Sequence, residues 1–474
     1  MSDTRTAAVA PVLEPIPASV WRVAGVVVFG AVMSMLDTSL VNIGLDTIAT
    51  DLGATLDSAQ WIASGYLLAL AVTLPLCGWL GRRVAMDRLW MGALIAFTVM
   101  SGLCALAPSM GWLIALRIGQ GLAAGLLVPA GQAMIGRVAG PHRLGRVMSV
   151  VGIAVVSAPA IGPTVGGLML AHLDWQWLFL INIPFGVVAF VLARRSLPRV
   201  PASDVTASFD IAGFALIALG LSALVYGLSE FGGRGGLSAP TVWVSLVVGA
   251  LALGGFVLRA VRARQASLLD ITMFRSPVFA AATVAHFFGG MSLFGSMLLL
   301  PLYFQNLHEK GLVATGLLLL SFGIGGVVIL PIGGRLTDRY GGGAVAAVGG
   351  LVLVAVSLPF VFGDASMNPV VIQVLLLFRG IATGLTGVPI VASAYAAVRA
   401  EQLPDAASVV NILQRMGGSI GAALLAVVLY RATVAGNGVE VGFQRAFLCL
   451  TLAAVVSFVT SLVLWREESS ECRG

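Results

Sequence analysis

The sequence predicts an all-α membrane protein of fourteen transmembrane helices, built as two related six-helix halves with one extra helix pair between them. Three observations carry this expectation. Of 474 residues, 58% are hydrophobic and only 10% charged, where a soluble domain carries about 25% charged residues. Apolar runs near the ~20 residues that a helix needs to cross a hydrocarbon core of about 30 Å recur from Trp21 to Trp465. Two polar markers also repeat at nearly equal offsets, the mark of related halves. Gly78-Trp-Leu-Gly-Arg-Arg83 returns 256 residues later as Gly334-Arg-Leu-Thr-Asp-Arg-Tyr-Gly341, and Arg117 with Gly125 returns 262 residues later as Arg379 with Gly387.

The elements follow in order, each ended by charge or by Gly and Pro. Residues 1–20 form a cytoplasmic N-terminal segment without the apolar core of a cleavable signal, so the first run, 21–45, is expected to serve as an uncleaved one. Next come 61–80, closed by Arg82 and Arg83; 89–107, opened by Arg88; 112–134, closed by Arg137; 146–171, preceded by Arg143; and 177–194, closed by Arg194 and Arg195. These make an N-terminal bundle over 21–194. Polar stretches at 195–210 and 260–277 flank an inserted pair, 211–229 and 241–259, giving a linker unit of 195–277. The runs 278–301, 314–335, 343–362, 369–390, 406–430 and 445–465 make a C-terminal bundle over 278–465, with 466–474 as a cytoplasmic tail.

Net charge is +6 and the isoelectric point about 9.5, but the basic residues lie in short segments between apolar runs, which reads as topology and excludes a nucleic-acid surface. With the N-terminus inside, 20 basic residues fall on the inner side against four on the outer, Arg234, Lys310, Arg431 and Arg445. Both termini are therefore expected in the cytoplasm of a cell whose inner membrane holds the chain. Cys77, Cys104, Cys449 and Cys472 show no spacing for a metal site or a disulfide framework. Trp61, Trp175, Trp177 and Trp465, near helix ends, read as interfacial anchors.

Asp37 is the one carboxylate placed well inside a span, and an ionisable group there is costly and faces a cavity or a partner. At 100° per residue Ser34, Asp37, Thr38 and Asn42 share an arc of about 140°, a polar stripe on an apolar helix. A carboxylate in such a stripe exchanges protons, binds a substrate cation, or bonds a neighbouring helix. Arg117 holds its proton permanently and needs a partner or water; Arg379 and Arg415 either bind an anionic group of a substrate or hold helices together. His286 titrates near neutral pH and either carries a proton or packs as a satisfied side chain. Pro159, Gly162, Pro163, Gly166 and Gly167 bend a helix or let it pack closely, as a seal between cavity and outside would require. Gly78, Arg82, Arg83, Gly334, Asp338 and Arg339 are expected in cytoplasmic loops that latch one state, with Asp338 and Arg339 the specific pair.

The motifs place the chain in a family. Leu36-Asp37-Thr38-Ser39-Leu40-Val41-Asn42, Gln60-Trp61 through Tyr66-Leu67-Leu68, Arg117-Ile-Gly-Gln-Gly121 and Gly162-Pro163-Thr-Val-Gly166-Gly167 stand in order on successive spans. The chain thereby resembles the fourteen-helix drug/proton antiporters of the major facilitator superfamily, EmrB/QacA type. It departs at Arg82, where the family motif usually has an acid, and at Ala85, where it has a glycine; the second copy keeps Asp338, Arg339 and Gly341.

The resemblance implies a major facilitator fold and a proton-coupled antiporter exporting lipophilic small molecules or drugs, with Asp37 and Arg117 in proton coupling and 159–167 as the antiporter motif. The same fold also serves proton-coupled import or export of an endogenous metabolite. No Gly-Lys-Ser/Thr phosphate loop is present, so the expected energy source is a proton gradient and no cofactor. Paired carboxylates, a His cluster and metal-ligand spacing are missing from the spans, which argues against an enzyme. The partners implied are a lipophilic substrate, protons and membrane lipids, with a monomeric chain; likeness to EmrB adds a periplasmic adaptor where the cell has an outer membrane.

Overall fold

The computed structural model describes residues 15–199, 202, 208–232, 240–263, 268–363, 367–434 and 438–471. The helices are α1 (Ala18–Asp51), α2 (Leu56–Thr73), α3 (Leu76–Arg83), α4 (Met86–Ala105), α5 (Met110–Ala139), α6 (Leu144–His172), α7 (Trp177–Leu180), α8 (Asn182–Ser196), α9 (Ile211–Gly232) and α10 (Pro240–Ala263). They continue with α11 (Pro277–Asn306), α12 (Leu312–Tyr340), α13 (Gly342–Phe362), α14 (Pro369–Ala396), α15 (Leu403–Val434) and α16 (Val439–Glu471). Among the described residues eleven helices are long and apolar enough to cross a membrane, or twelve if α2 and α3, bent by 51°, count as one. The expected spans at 146–171 and 211–229 fall on α6 and α9, the latter a shorter apolar helix over Ile211–Gly227.

Local chemistry sets several ends. Ser276 and Asn368 cap α11 and α14, accepting from Phe279 N (3.3 Å) and Val370 N (2.8 Å), and in each the next residue is a proline that needs no hydrogen-bond acceptor. Gly341, at φ +86°, turns the chain out of α12 in a conformation that side chains resist. Three boundaries differ from the sequence reading. The span at 61–80 breaks at Leu74-Pro75, so Gly78, Arg82 and Arg83 lie on the short helix α3 and not in a loop. Gly334, Asp338 and Arg339 likewise lie on α12. Residues 466–471 of the expected tail extend α16, because Glu468 turns back to accept from Gly343 N at the start of α13 (2.9 Å). Cys472, Arg5, Arg234, Arg264 and Arg473 lie outside the described residues.

The repeat read from marker offsets reappears as a repeated set of packed pairs. α1 packs on α5, α6 and α8 as α11 packs on α14, α15 and α16. α2 packs on α5 as α12 does on α14, and α4 on α5 and α8 as α13 does on α14 and α16. Small residues allow these approaches, as bilayer packing demands. A β-carbon on Gly125 of α5 would stand 2.6 Å from the Leu70 carbonyl of α2. Gly125→Val is therefore expected to cost about 1–3 kcal/mol of stability, read as a lower melting temperature of the purified protein; an unchanged value contradicts the close contact. α9 and α10 pack on each other, and α9 touches α2 and α15. Large apolar side chains such as Leu251 and Leu317 face outward, as lipid contact requires.

Candidate functional site

Asp37 sits on α1 with no exposed surface. Its Oδ2 accepts from Arg117 Nη1 of α5 at 2.5 Å, and its Oδ1 from Asn182 Nδ2 of α8 (2.9 Å) and Gln120 Nε2 of α5 (3.1 Å). Arg117 also donates to Gln120 Oε1 (2.8 Å) and to the Ile62 carbonyl of α2 (3.3 Å), and its guanidinium lies 4.2 Å from the Tyr66 ring centre. Asn182 donates to Ser101 Oγ of α4 (3.0 Å), which donates to the Phe179 carbonyl (2.9 Å). A carboxylate and a guanidinium, both enclosed, thus tie six helical elements, α1, α2, α4, α5, α7 and α8, through one set of satisfied hydrogen bonds.

The polar stripe on α1 divides. Ser34 shares a hydrogen bond with Tyr66 Oη (3.1 Å), and Thr38 bonds back to the Ser34 carbonyl (3.0 Å). Asn42 is exposed and stands apart from this network.

The corresponding place in the second half holds a cation without an acid. Arg379 of α14 is fully buried and donates to Ser296 Oγ of α11 (2.7 Å) and Ser357 Oγ of α13 (2.7 Å). Ser296 stands in the place of Asp37 and Ser357 in that of Ser101, on the matching helices. Among the described residues Arg379 has no carboxylate partner. Ser296→Asp is expected to supply one and to stabilise the protein by about 1–3 kcal/mol, read as a raised melting temperature; a fall contradicts the pairing.

Between the halves lies a cavity of about 170 Å³. Its wall is mostly apolar, with polar groups from Gln132, His286, Thr383, Asn411 and Gln414. Gln132 Oε1 accepts from Asn411 Nδ2 (2.7 Å) and from Tyr395 Oη (3.0 Å), a polar node joining α5 to α14 and α15. His286 is buried, and among the described residues has no hydrogen-bond partner. Arg415, next to Gln414, is half-buried.

Two ion pairs close one end of the molecule. Arg82 of α3 pairs with Asp405 of α15 and also donates to the Leu268 carbonyl (3.1 Å). Asp338 of α12 pairs with Arg146 of α6 and accepts from Gly145 N (2.8 Å). Glycine makes both approaches feasible: a β-carbon on Gly78 would overlap the Asp405 carboxylate, and one on Gly334 would stand 2.6 Å from the Gly145 carbonyl. Nearby, burial raises the Asp270 carboxyl, but hydrogen bonds from Gln402 and Thr272 and the charge of Arg82 outweigh it, leaving the group below its ordinary range. Of the two expected latch residues, Asp338 makes the cross-helix ion pair and Arg339 does not. Neighbours on a helix point about 100° apart, so Asp338 turns to α6 while Arg339 is exposed beside Tyr340. Arg83 is likewise exposed, over Trp79.

In the 159–167 segment, Gly162 and Gly166 face Ser39 and Leu40 of α1, while Gly167 meets open space; the side chains of Pro159 and Pro163 lie outside the described residues. Trp175 is not an interfacial anchor: it is buried and donates to Asp51 Oδ2 (2.6 Å), whereas Trp61, Trp177 and Trp465 are exposed. Gln120, Asn182, Ser101, Gln132, Arg146 and Asp405 carry the site without having been singled out from the sequence. Gln120 alone left a signal, standing three residues after Arg117 on the same helix face.

Comparison with known proteins agrees with this geometry. The family model described as Major Facilitator Superfamily matches residues 27–422. A multidrug resistance protein B homolog of Mycobacterium tuberculosis is 34% identical over 411 residues, covering 86% of this chain and 76% of that protein. The lincomycin resistance protein LmrB of Bacillus subtilis is 32% identical over 452 residues, covering 92% and 93%. Among solved structures, the proton:xylose symporter XylE superposes with a TM-score of 0.63 at 13% identity, covering 95% of this chain and 96% of that one. The human organic anion transporter MFSD10 gives 0.64 at 16%, covering 94% and 100%. At such identity these two establish the fold alone.

Proposed function

The chain belongs to the Major Facilitator Superfamily, whose members are transporters and not enzymes, and on that premise we propose that it is a proton-coupled antiporter exporting lipophilic small molecules across the cytoplasmic membrane by alternating access. The proposal includes fourteen spans, two six-helix bundles over 21–194 and 278–465 with an inserted pair between them, and both termini in the cytoplasm. The relatives named for multidrug and lincomycin resistance support the export of toxic compounds.

The observation that carries the reading is the enclosed Asp37–Arg117 pair. Protonation of Asp37 cancels its charge and leaves Arg117, 1% exposed, without a counter-charge. A buried charge deprived of its partner costs about 3–5 kcal/mol, enough to favour a state in which Arg117 reaches water. The proton is thereby coupled to conformation, and a substrate that favours the opposite state is exchanged for it by linkage. One proton crossing is worth about 2.3 kcal/mol per 100 mV, sufficient for more than a tenfold gradient of a neutral substrate. The Arg82–Asp405 and Asp338–Arg146 pairs hold the arginine-rich end shut, so the state observed is read as closed toward the cytoplasm.

The test uses the purified chain in liposomes with a compound to which a deletion strain is sensitive. An imposed gradient of that compound is expected to drive protons the opposite way, read by an entrapped pH dye. Movement in the same direction identifies an importer, and no movement removes proton coupling.

A further inference from the structure

The charges around the central cavity select its substrate. Resting on the transport reading above, we propose that this cavity takes neutral or anionic lipophilic molecules and excludes organic cations. Its described lining contains no Asp or Glu. Asp37, deep in the first half, has no exposed surface and is already matched by Arg117, so that pair offers a cation nothing to bind.

The second half supplies the opposite charge. Arg379 directly precedes Gly380, and Arg415 directly follows Gln414, both of which line the cavity. Among the described residues neither arginine has a carboxylate partner; Arg379 is held by two serine hydroxyls, which orient it without neutralising it. Arginine keeps its proton, so α14 and α15 each carry a permanent positive charge one residue from the cavity lining, in surroundings of low polarity where screening is weak. The neutral polar groups of Gln132, Asn411 and Gln414 can bond a carbonyl, hydroxyl or amide. An apolar body with a neutral or negative polar group fits this environment, and a quaternary or protonated amine meets repulsion with no compensating contact.

Shape-matched ions test this directly. Binding of tetraphenylborate and tetraphenylphosphonium to the purified full chain is measured at fixed pH without a gradient. The anion is expected to bind at least tenfold more tightly. Arg415→Gln should shrink the preference severalfold, and Gln414→Glu, which places an acid in the wall, should weaken the anion and strengthen the cation. Equal affinities, tighter binding of the cation, absence of binding by both, or a preference untouched by either variant overturns the proposal. Failure of proton coupling is separable: Asp37→Asn loses pH-driven transport if the antiport reading holds, whereas the charge preference needs no proton movement.

Discussion

Asp37→Asn is expected to abolish pH-driven efflux while the protein still reaches the membrane folded. Asparagine keeps the size of the side chain and its contacts with Gln120 and Asn182 but cannot take up a proton. It also removes the charge facing Arg117, 2.5 Å away in a site with 1% or less exposure on either side chain. The variant should lose about 3–5 kcal/mol of stability. The double variant Asp37→Asn with Arg117→Gln removes both charges and is expected to recover most of that stability without recovering transport. Melting temperatures of the two variants, with efflux measured in the same preparations, separate the electrostatic role from the coupling role. Full pH-driven transport by Asp37→Asn refutes the assignment.

The second large effect is expected at the closed end. Arg82→Asp sets two acids against each other at Asp405, whose side chain is 2% exposed, and removes the donor to the Leu268 carbonyl. Like charges at such a junction cost several kcal/mol, so transport should fall at least tenfold. Asp405→Arg alone should fail similarly, and the double reversal should recover a substantial part of the activity, because attraction between α3 and α15 returns with its sign exchanged. Absence of rescue means that Arg82 serves topology and not closure.

The charge-reversed latch explains part of what the sequence concealed. Arg82 departs from the family motif, and its partner lies 323 residues away; nothing in the spacing joins them. Asp405 falls just before the run at 406–430 and looks like a loop residue, yet α15 begins at Leu403 and carries it inward. Asp338 was visible, but its partner Arg146 lies 192 residues away on another helix, and no spacing joins the two. By contrast Asp37, Arg117 and Arg379 were legible because a charge within an apolar run is costly enough to need a reason. What no pattern announced was the difference between the halves: an aspartate faces the arginine on α5, a serine the one on α14. Serines are common in membrane helices, and Ser296 acquires meaning only beside Arg379. Asn182, neutral and on a separate helix, was silent for the same reason.

The fold was more legible than the site. Hydropathy and the charge, Gly and Pro clusters between apolar runs located the helices, and the marker offsets anticipated the doubled packing of α1 with α6 and α11 with α15. The bend between α2 and α3 and the extension of α16 past Trp465 were not legible, since both depend on tertiary contacts at the helix ends.

Proton release on substrate binding tests the coupling most directly. Purified protein in weakly buffered detergent near neutral pH is mixed with a transported compound, and the change in bulk pH is titrated. Wild type should exchange about one proton per chain, and Asp37→Asn none. An equal exchange by both proteins, or none by the wild type, would place the coupling elsewhere or remove it.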